Sequence, residues 1–269
     1  METCSACPIC AKSDISIQYW RTPSFSRCKG CGTIFRDPFP SEEQLGELYR
    51  SSWSNVDLHV DETGGTNSKL GQIILQKLLR ELNVKDFSGQ RVLDFGAGRG
   101  GMSVALRKMQ ANVTAIEPFG YNYLRQLKIP VYRDLSQMPV HCEFDGIVMM
   151  EVIEHLRNPC DLLSQLYHIL RPGGWVLLTT PDPKSLAARL YGQRWSSAAN
   201  AGHIAFLTGQ TLHEVLSRFD FKEIRQTRWV IRFPDVPYHR TIVQSVLQLL
   251  RLGGGLRFLA VKADYRVKA

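Results

Sequence analysis

From residue 91 onwards, short apolar runs alternate with stretches whose apolar residues recur at helical spacing. Alternation of this kind is typical of βαβ units, in which buried parallel strands are joined by amphipathic helices. The expected fold class is therefore α/β, with a mainly parallel, doubly wound sheet. The pattern predicts strands at 91–95, 112–117, 130–133, 144–149 and 174–180, with helices at 100–109, 120–127 and 159–170 between them.

The last part of the chain predicts two further helix–strand pairs. A helix at about 209–219 precedes a strand at 221–230, the segment PYHRTIVQSVLQLLRL has helical spacing, and LRFLAVKADYRV is typical of a last strand. Because FLAV is apolar throughout, we expect this strand to be covered on both faces and the segment to belong to the fold. The alternative is that the amphipathic helix, which is flanked by arginines, lies on an anionic bilayer.

The region before residue 89 is predicted to be mainly helical. Ser41 is a suitable N-cap for a short helix to about Tyr49, and apolar residues from Asn67 to Leu82 recur at helical spacing. The polar, turn-rich stretch 51–66 predicts a loop between these helices. The expected organisation is an N-terminal unit over 1–40, a helical linker or lid region over 41–88, and a main domain over 89–269.

The N-terminal unit is rich in cysteine. Two CxxC pairs, CPIC and CKGC, are separated by seventeen residues, and two such knuckles can complete a tetrahedron of sulfurs around zinc. We expect Cys7, Cys10, Cys28 and Cys31 to hold one structural zinc ion in a zinc ribbon, because four thiolates leave no open position for chemistry. Cys4 also forms a CxxC with Cys7, so Cys4 in place of Cys10 is the alternative.

Composition and charge narrow the class of protein. The chain is 44% hydrophobic and 22% charged, as globular proteins are, and it contains no apolar run of about 18 residues. Its first residues lack the basic and apolar regions of a secretory signal, so we expect a cytoplasmic protein. The net charge of +8 is concentrated at 221–269, where ten Lys or Arg accompany three Asp or Glu. This asymmetry indicates either an anionic partner, such as nucleic acid or a membrane surface, or a solvated basic face.

The segment VLDFGAGRGG fits two cofactor-binding patterns. Gly96-x-Gly98-x-x-Gly101 is the glycine pattern of dinucleotide sites, where backbone amides face a pyrophosphate. A carboxylate at Asp94 is unfavourable beside a pyrophosphate, but it would stabilise the ammonium and sulfonium groups of S-adenosylmethionine. Glu117, at the end of the next predicted strand, is placed to bind ribose hydroxyls in either class. Together the two acids favour S-adenosylmethionine over NAD.

The order of motifs resembles the class I S-adenosylmethionine-dependent methyltransferases over about residues 88–230. The segments that carry this resemblance are VLDFGAGRG, AIEP, FDGIVMMEVIEHL, LRPGGWVLLTTP and GHIAFLTGQTLHEVLSRFDF. Residues 1–49, with CPIC, CKGC, DPFP and LGELY, resemble a zinc-ribbon variant of the family that is common among bacterial enzymes acting on sugars, polysaccharides and secondary metabolites. The resemblance implies a Rossmann-like sheet whose last strand is antiparallel.

The resemblance also implies where the cofactor binds. Its methionine part would lie at the glycine loop, its ribose at the acid of the second strand, its adenine after the third strand and its sulfonium beside the end of the fourth. The implied cofactor-binding residues are Asp94, Gly96, Gly98, Glu117, Pro118, Asp134, Leu135, Met150 and Glu151.

Two histidines are candidates for a catalytic base, which methyl transfer needs when the acceptor is a hydroxyl or a carbon acid. His155 follows the fourth strand, at the edge where ligands bind in open α/β sheets, although it could equally be a packing residue that orients the turn. His203 lies in a polar loop and could equally be a surface histidine. The seven histidines form no HxxxH or HxH pair, so their spacing does not indicate a histidine metal site.

The residues around His203 bear on the type of methylation. His203 resembles the last histidine of the Y-H-E-H segment in sugar C-methyltransferases that have the same zinc ribbon. Here Asn200, Ala201 and Gly202 precede it, so the accompanying acid–base groups are missing. Simple O-methylation is therefore the more economical prediction.

The predicted function is transfer of a methyl group from S-adenosylmethionine to a small-molecule or saccharide acceptor. One alternative is an RNA methyltransferase that uses the zinc ribbon and the basic C-terminal segment. A nucleic-acid partner is less favoured, because the aromatic residues of the ribbon do not interleave with a basic run. The other alternative is a non-catalytic interaction protein that keeps the fold. The sequence predicts neither the acceptor nor the oligomeric state.

Overall fold

The computed structural model describes residues 4–16, 20, 25–54, 65–139, 142–229, 231, 238–250 and 252–264. All statements about the structure concern these residues. The strands are, in chain order, β1 (Ile15–Ser16), β2 (Phe25–Cys28), β3 (Ile34–Arg36), β4 (Arg91–Phe95), β5 (Asn112–Ile116), β6 (Val131–Tyr132), β7 (Phe144–Met150), β8 (Leu170–Pro181), β9 (Ala205–Phe206), β10 (Phe221–Gln226) and β11 (Gly255–Lys262).

The α-helices follow the same order along the chain. They are α1 (Glu42–Ser54), α2 (Gly65–Leu82), α3 (Gly101–Lys108), α4 (Tyr121–Gln126), α5 (Pro159–Ile169), α6 (Leu186–Tyr191), α7 (Ser196–Ala199), α8 (Gly209–Leu216) and α9 (Tyr238–Leu249). Short 3₁₀ turns at Leu135–Gln137, Ile153–His155 and Gly192–Arg194 complete the regular structure of this part of the chain.

A seven-stranded sheet forms the centre of the protein, in the order β10–β11–β8–β7–β4–β5–β6. Strands β6, β5, β4, β7 and β8 are mutually parallel, whereas β11 is antiparallel to both β8 and β10. The chain order reverses at β4, whose neighbours are β5 and β7. The predicted α/β class, with a mostly parallel sheet and an antiparallel last strand, is confirmed.

Helices cover both faces of the sheet and divide the core into two large clusters. On one face Leu75 of α2 and Leu106 of α3 pack on the sheet, and on the other face Leu166 of α5 and Leu212 of α8 do so. Each of these leucines is at least 99% buried. Burial of a leucine side chain contributes about 1.5–3 kcal/mol, so the two clusters hold the sheet between its helices.

Helix α1 differs from its prediction, because it continues to Ser54 instead of ending near Tyr49. The added turn packs Trp53 on the core, where its ring centroid lies 6.4 Å from that of Tyr123. The start of the predicted loop at 51–54 is thus helical, and its last residues, 65–66, belong to α2. The rest of that loop, 55–64, lies outside the described residues.

Two strands also differ from their predicted bounds. Strand β8 begins at Leu170, so the RPGG segment expected to precede it is part of the strand. Strand β10 ends at Gln226 and not at residue 230. The chain leaves the sheet there, and Trp229 packs against the core with its indole donating a hydrogen bond to Glu81 of α2 (2.9 Å).

A second, four-stranded sheet has the order β1–β2–β3–β9. Its first three strands come from the cysteine-rich N-terminus, and the fourth comes from residues that follow the central β8 strand. Ile34 pairs with Phe206, and Phe35 pairs with Ala205. The N-terminal unit is therefore joined to the rest of the protein by main-chain hydrogen bonds as well as by side-chain packing.

Helix α9 has an apolar face that the structure leaves largely exposed. Ile242, Val243, Val246 and Leu249 are between 47% and 63% exposed. In the part of the chain that the structure describes, no helix combines the length and the apolar composition that crossing a membrane requires.

Candidate active site and cysteine cluster

A cavity of about 530 Å³ opens at the carboxyl ends of β4, β5 and β7. Ligand sites of open α/β sheets lie at this edge, where the strand order reverses, and pockets of about 300–1,000 Å³ are typical for small ligands. The wall combines aromatic side chains with a few acidic groups and one histidine. It includes Tyr49, Trp53, Gly96, Glu117, Pro118, Phe119, Asp134, Leu135, Glu151 and His155.

The glycine loop after β4 supports one side of the cavity. Gly96 has a φ of 74°, and a Cβ on it would lie 2.5 Å from Cγ2 of Val152. Only glycine fits this combination of left-handed backbone and close approach. Gly98 does not line the cavity itself, and its amide donates to the Glu117 carboxylate (2.8 Å).

Glu117, at the end of β5, is held by the backbone around it. Its carboxylate accepts hydrogen bonds from the amides of Gly98 (2.8 Å), Phe119 (2.9 Å) and Gly120 (3.0 Å). Amide donors stabilise the charged form of a carboxylate and fix its orientation. Glu117 is 6% exposed and lines the cavity, so a fixed carboxylate faces this space.

Asp94 and Met150 lie behind the cavity wall. Asp94 is 1% exposed and accepts a hydrogen bond from the Ser103 hydroxyl (2.5 Å). Burial, partly offset by that hydrogen bond, raises the pKa of Asp94 to about 6. Met150 is half-buried, and its sulfur lies 3.9 Å from the Thr179 hydroxyl. Neither Asp94 nor its partner Ser103 lines the cavity.

Of the residues implied for the adenine and sulfonium, Asp134, Leu135 and Glu151 line the cavity, whereas Met150 does not. Asp134 caps the 3₁₀ turn Leu135–Gln137 by accepting from the Ser136 amide (2.9 Å). Glu151 follows β7 with a φ of 54°, which is rare for a residue other than glycine, and its carboxylate accepts from the Thr179 hydroxyl (2.9 Å). Burial raises the pKa of Glu151.

The two candidate histidines, far apart in sequence, meet at one wall. The rings of His155 and His203 lie 4.6 Å apart, nearly perpendicular, and Nε2 of His203 lies 3.9 Å from the buried carboxylate of Glu154. Nδ1–H of His155 donates to the Gly202 carbonyl (2.9 Å), and the Tyr49 hydroxyl oxygen lies 2.8 Å from the same nitrogen. Only His155 reaches the cavity surface; His203 and Glu154 lie behind it.

Burial dominates the electrostatics of this wall. Burial lowers the pKa of His155, and burial together with the neighbouring His155 lowers the pKa of His203 to about 4. Burial and the charge of Glu151 raise the pKa of Glu154 well above its usual range. Both imidazoles are therefore neutral near pH 7 and present unprotonated nitrogens.

Three residues of the site were not singled out from the sequence. Tyr49 and Trp53 lie four residues apart on α1, so they share one helix face and together wall the cavity. The spacing of two aromatic residues on one face of a predicted helix is the sequence signal that could have indicated them. Glu154 gave no such signal, because a glutamate is expected at the surface, whereas this side chain is completely buried.

Arg36 of β3 ties the N-terminal unit to the loop that carries His203. Its guanidinium donates to the carbonyls of Ala198 (3.0 Å), Asn200 (2.9 Å) and His203 (3.0 Å). The residue that follows His203, Ile204, donates its amide to the carbonyl of Glu154 (2.8 Å). One arginine thus fixes the histidine loop against the cavity wall.

We expect Arg36→Met to lower the free energy of unfolding by about 3–6 kcal/mol, because each hydrogen bond from a charged donor contributes about 1.5–3 kcal/mol and two of the three are partly buried. Thermal and urea denaturation measure this loss. The matched control is Arg228→Met, at an exposed arginine, which should change stability by less than about 0.5 kcal/mol. Equal stability of the two variants would contradict a role for Arg36 in holding the loop.

The structure brings Cys7, Cys10, Cys28 and Cys31 together and leaves Cys4 outside. One sulfur from each of the four lies within 4.8 Å of the others, with 3.7 Å between Cys7 and Cys31 and 3.5 Å between Cys10 and Cys28. Sulfurs at about 2.3 Å from one tetrahedral zinc ion are separated by roughly 3.8 Å, so the cluster fits zinc. Cys4 instead donates its amide to Asp37 (2.8 Å).

Known proteins similar to this chain are methyltransferases. Residues 68–226, more than half of the 269, match the family model described as a methyltransferase domain. A ubiquinone biosynthesis O-methyltransferase of Dechloromonas aromatica (strain RCB) is 34% identical over 123 residues, which are 40% of this chain and 52% of that protein. The protein of the same name from Pseudomonas aeruginosa (strain UCBPP-PA14) is 30% identical over 121 residues, with the same coverage. The chain spans about half the length of the curated relatives it matches.

Solved structures share the fold at low sequence identity. A SAM-dependent methyltransferase from Archaeoglobus fulgidus has a TM-score of 0.51 at 18% identity, covering 71% of this chain and 94% of its own. The 1,6-didemethyltoxoflavin-N1-methyltransferase of Burkholderia thailandensis, solved with 1,6-didemethyltoxoflavin and S-adenosylhomocysteine, has a TM-score of 0.53 at 17% identity over 86% of this chain and 96% of its own.

These findings support the S-adenosylmethionine pattern of the glycine loop over the dinucleotide pattern. The resemblance noted in the sequence is confirmed, and the strand order agrees with it. The chain belongs to the methyltransferase domain family and has the fold of the class I S-adenosylmethionine-dependent methyltransferases.

Proposed function

We propose that this protein transfers a methyl group from S-adenosylmethionine to a hydroxyl of a small-molecule or saccharide acceptor. One observation carries the proposal: a cavity of about 530 Å³ has the fixed carboxylate of Glu117 on one wall and His155 on another. A space of this size suits a cofactor and a small acceptor.

The residues on the cofactor side fit S-adenosylmethionine. Glu117 would accept hydrogen bonds from the ribose hydroxyls, and Asp134 with Leu135 would border the adenine. Gly96 lets the backbone approach the methionine part, because a side chain there would meet Val152. S-adenosylmethionine has no phosphate, so its site needs no cation to bind one. The buried carboxylate of Asp94 behind the loop favours a positively charged ligand over a pyrophosphate.

The remaining wall suits the acceptor. S-adenosylmethionine supplies a methyl group on a positively charged sulfur, which is already a good leaving group, so holding the acceptor close to the methyl contributes much of the rate. The acceptor oxygen bonds to the methyl carbon as the carbon–sulfur bond breaks and its electron pair passes to sulfur. The hydroxyl proton passes to the unprotonated Nε2 of His155, which is the residue of the Glu154, His155 and His203 wall that lines the cavity. Tyr49 and Trp53 exclude water from this space.

The names of the relatives support this reaction class. Two of them are O-methyltransferases, and one structural neighbour, an N1-methyltransferase, was solved with 1,6-didemethyltoxoflavin, which supports a small-molecule acceptor but not a hydroxyl in particular. We also propose a zinc ion held by Cys7, Cys10, Cys28 and Cys31, whose role is structural because four thiolates complete its coordination.

We expect Glu117→Gln to weaken S-adenosylmethionine binding by about 1–3 kcal/mol, or roughly 5–150-fold in Kd, because an amide cannot accept the hydrogen bonds of both ribose hydroxyls and three backbone amides. Calorimetric titration of the full chain measures this change. Glu214→Gln, at an exposed position on α8, is the matched control and should bind like the unchanged protein.

The same titration tests the cofactor class, because NAD should give no heat of binding. Tight binding of NAD, with none of S-adenosylmethionine, would overturn the proposed function. Release of S-adenosylhomocysteine during incubation with small phenols and saccharides then identifies the acceptor class.

A further inference from the structure

Three potential metal ligands converge beside the cavity, at a place that the function proposed above does not explain fully. Glu154 and His155 belong to the 3₁₀ turn after β7, and His203 comes from the loop before β9. The Ile204 amide donates to the Glu154 carbonyl (2.8 Å), and this hydrogen bond brings the two segments together. The histidines are 48 positions apart in sequence, so no spacing pattern could indicate the cluster.

The distances suit a single ion. Glu154, His155 and His203 each offer one ligand atom, and these atoms all lie within 4.8 Å of one another. Ligand atoms at about 2.0–2.2 Å from one ion are separated by roughly 3–4.4 Å, so a small contraction of the cluster completes the site.

The buried polar atoms of the cluster lack partners among the described residues. Glu154 is 0% exposed, and although its Oε2 accepts from the Thr180 hydroxyl (2.9 Å), its Oε1 has no hydrogen-bond partner. Nδ1 of His203 is also buried without one. No lysine or arginine in the described ranges forms an ion pair with Glu154. A buried carboxylate without a cation is costly, and a bound metal ion would supply the missing charge.

The surroundings hold the ligands as metal sites do. The hydroxyl of Thr180 donates to the Glu154 carboxylate, and Nδ1–H of His155 donates to the Gly202 carbonyl. Hydrogen bonds of this kind fix the ring and the tautomer of a metal-ligating histidine and leave Nε2 with a free lone pair.

We propose that Glu154, His155 and His203 bind one divalent transition-metal ion, such as Mn²⁺ or Zn²⁺. Two imidazoles and a carboxylate are ligands that these ions accept. Three protein ligands leave a coordination position open, and because His155 lines the cavity, that position faces the acceptor side.

The ion would act on the acceptor, and this step rests on the proposed function. With the ion bound, His155 would be a ligand and no longer the base. The ion would lower the pKa of a hydroxyl held at the open position, and the proton would pass to solvent before methyl transfer. The cluster then positions the nucleophile as well as activating it. Binding of the ion itself does not depend on methyl transfer.

The site differs in chemistry from the cysteine cluster, and the experiment uses this difference. Thiolates select soft ions such as Zn²⁺, whereas Mn²⁺ prefers oxygen and nitrogen ligands. The probes are Mn²⁺, counted by loss of its free electron paramagnetic resonance signal, and Zn²⁺, counted by elemental analysis after loading and gel filtration. The variants are Glu154→Gln and His203→Ala in the full chain, with His213→Ala, an exposed histidine on α8, as control.

We expect the unchanged protein and His213→Ala to bind one metal ion more per chain than Glu154→Gln and His203→Ala. The affinity for the ion should fall by about 100-fold or more. Loss of a residue that only supports a metal ligand costs up to about 100-fold, and loss of a ligand itself should cost at least as much. His155→Ala, at the cavity surface, provides a third variant if Glu154→Gln does not fold by circular dichroism.

The proposal is overturned if the variants and the unchanged protein bind equal amounts of both ions. Calorimetric titration with S-adenosylmethionine separates this outcome from failure of the proposed function, because cofactor binding at Glu117 should persist in Glu154→Gln. If methyl transfer continues undiminished in EDTA and the variants contain as much metal as the unchanged protein, the proposed function stands and the proposed metal site is wrong.

Discussion

Purified Cys28→Ser protein is expected to contain one zinc ion fewer per chain than the unchanged protein and to lose most of its stability in the N-terminal unit. Cys28 is completely buried, lies 3.5 Å from Cys10 Sγ and accepts from the Cys31 amide (3.4 Å), so serine cannot replace it without loss of a thiolate ligand. Structural zinc sites contribute roughly 10–16 kcal/mol, which equals or exceeds the whole stability of an ordinary domain. Elemental analysis and thermal denaturation measure both effects.

The loss should extend to the active site, because the N-terminal unit holds the loop of His203. Strand β3 pairs with β9, and the Arg36 amide and guanidinium donate to Ile204 and to the carbonyls of the loop. We therefore expect Cys28→Ser to lose methyl transfer to a greater extent than S-adenosylmethionine binding, whose residues lie after β4 and β5.

Controls distinguish loss of zinc from a general effect of the substitution. Cys160→Ser changes a half-buried cysteine outside the cluster and should keep the zinc content unchanged. An unchanged zinc content in Cys28→Ser would contradict the ligand set. Loss of zinc in Cys4→Ala, but not in Cys10→Ala, would show that Cys4 belongs to the first knuckle.

The central sheet could be predicted from sequence because its signals are local. Each buried strand from β4 to β8 is a short apolar run, and each connecting helix repeats apolar residues at its own period, so the alternation determines the fold class. The ends of β8 and β10 could not be predicted in the same way. The start of β8 depends on its pairing with β7 at Phe144↔Leu170, and the end of β10 depends on where its pairing with β11 stops; both are long-range contacts.

The elements between β8 and α8 gave no local signal. Strand β9 is two residues long and exists because it pairs with β3, about 170 positions earlier. Helices α6 and α7 are too short for helical spacing to be recognised. The meeting of His155 and His203 follows from these elements, so the sequence indicated each histidine as a candidate but could not show that the two lie together.

The proposed cofactor side was more accessible to sequence reasoning, although Asp94, Gly98 and Met150 do not line the cavity. Gly96 and Glu117 follow strands whose ends are readable, and both line the cavity. Asp94 is also at a strand end, but its side chain points into the core towards Ser103. Successive side chains of β4 point to opposite sides of the strand, and sequence alone does not determine which side the Asp94 carboxylate faces.

Deletion of residues 253–269 is expected to give insoluble protein, because β11 is an interior strand. It lies between β8 and β10, and its pairing with β8 runs from Gly255↔Pro181 to Val261↔Trp175. Leu256, Phe258 and Leu259 are at least 97% buried. Loss of these three side chains removes about 5–9 kcal/mol of apolar burial, which is comparable with the total stability of a domain, and exposes the edge of β8.

A shorter deletion and a surface variant separate this structural role from membrane binding. Deletion of 265–269 leaves β11 intact and should give soluble protein. Val243→Ser and Val246→Ser, on the exposed face of α9, should fold normally, since these side chains are 56% and 47% exposed. If the 253–269 deletion stays soluble, unfolds cooperatively and has lost only liposome or RNA binding, the basic segment is an anchor and not part of the sheet. Because β11 pairs on both sides, we expect the deletion to aggregate and the α9 variants to remain soluble.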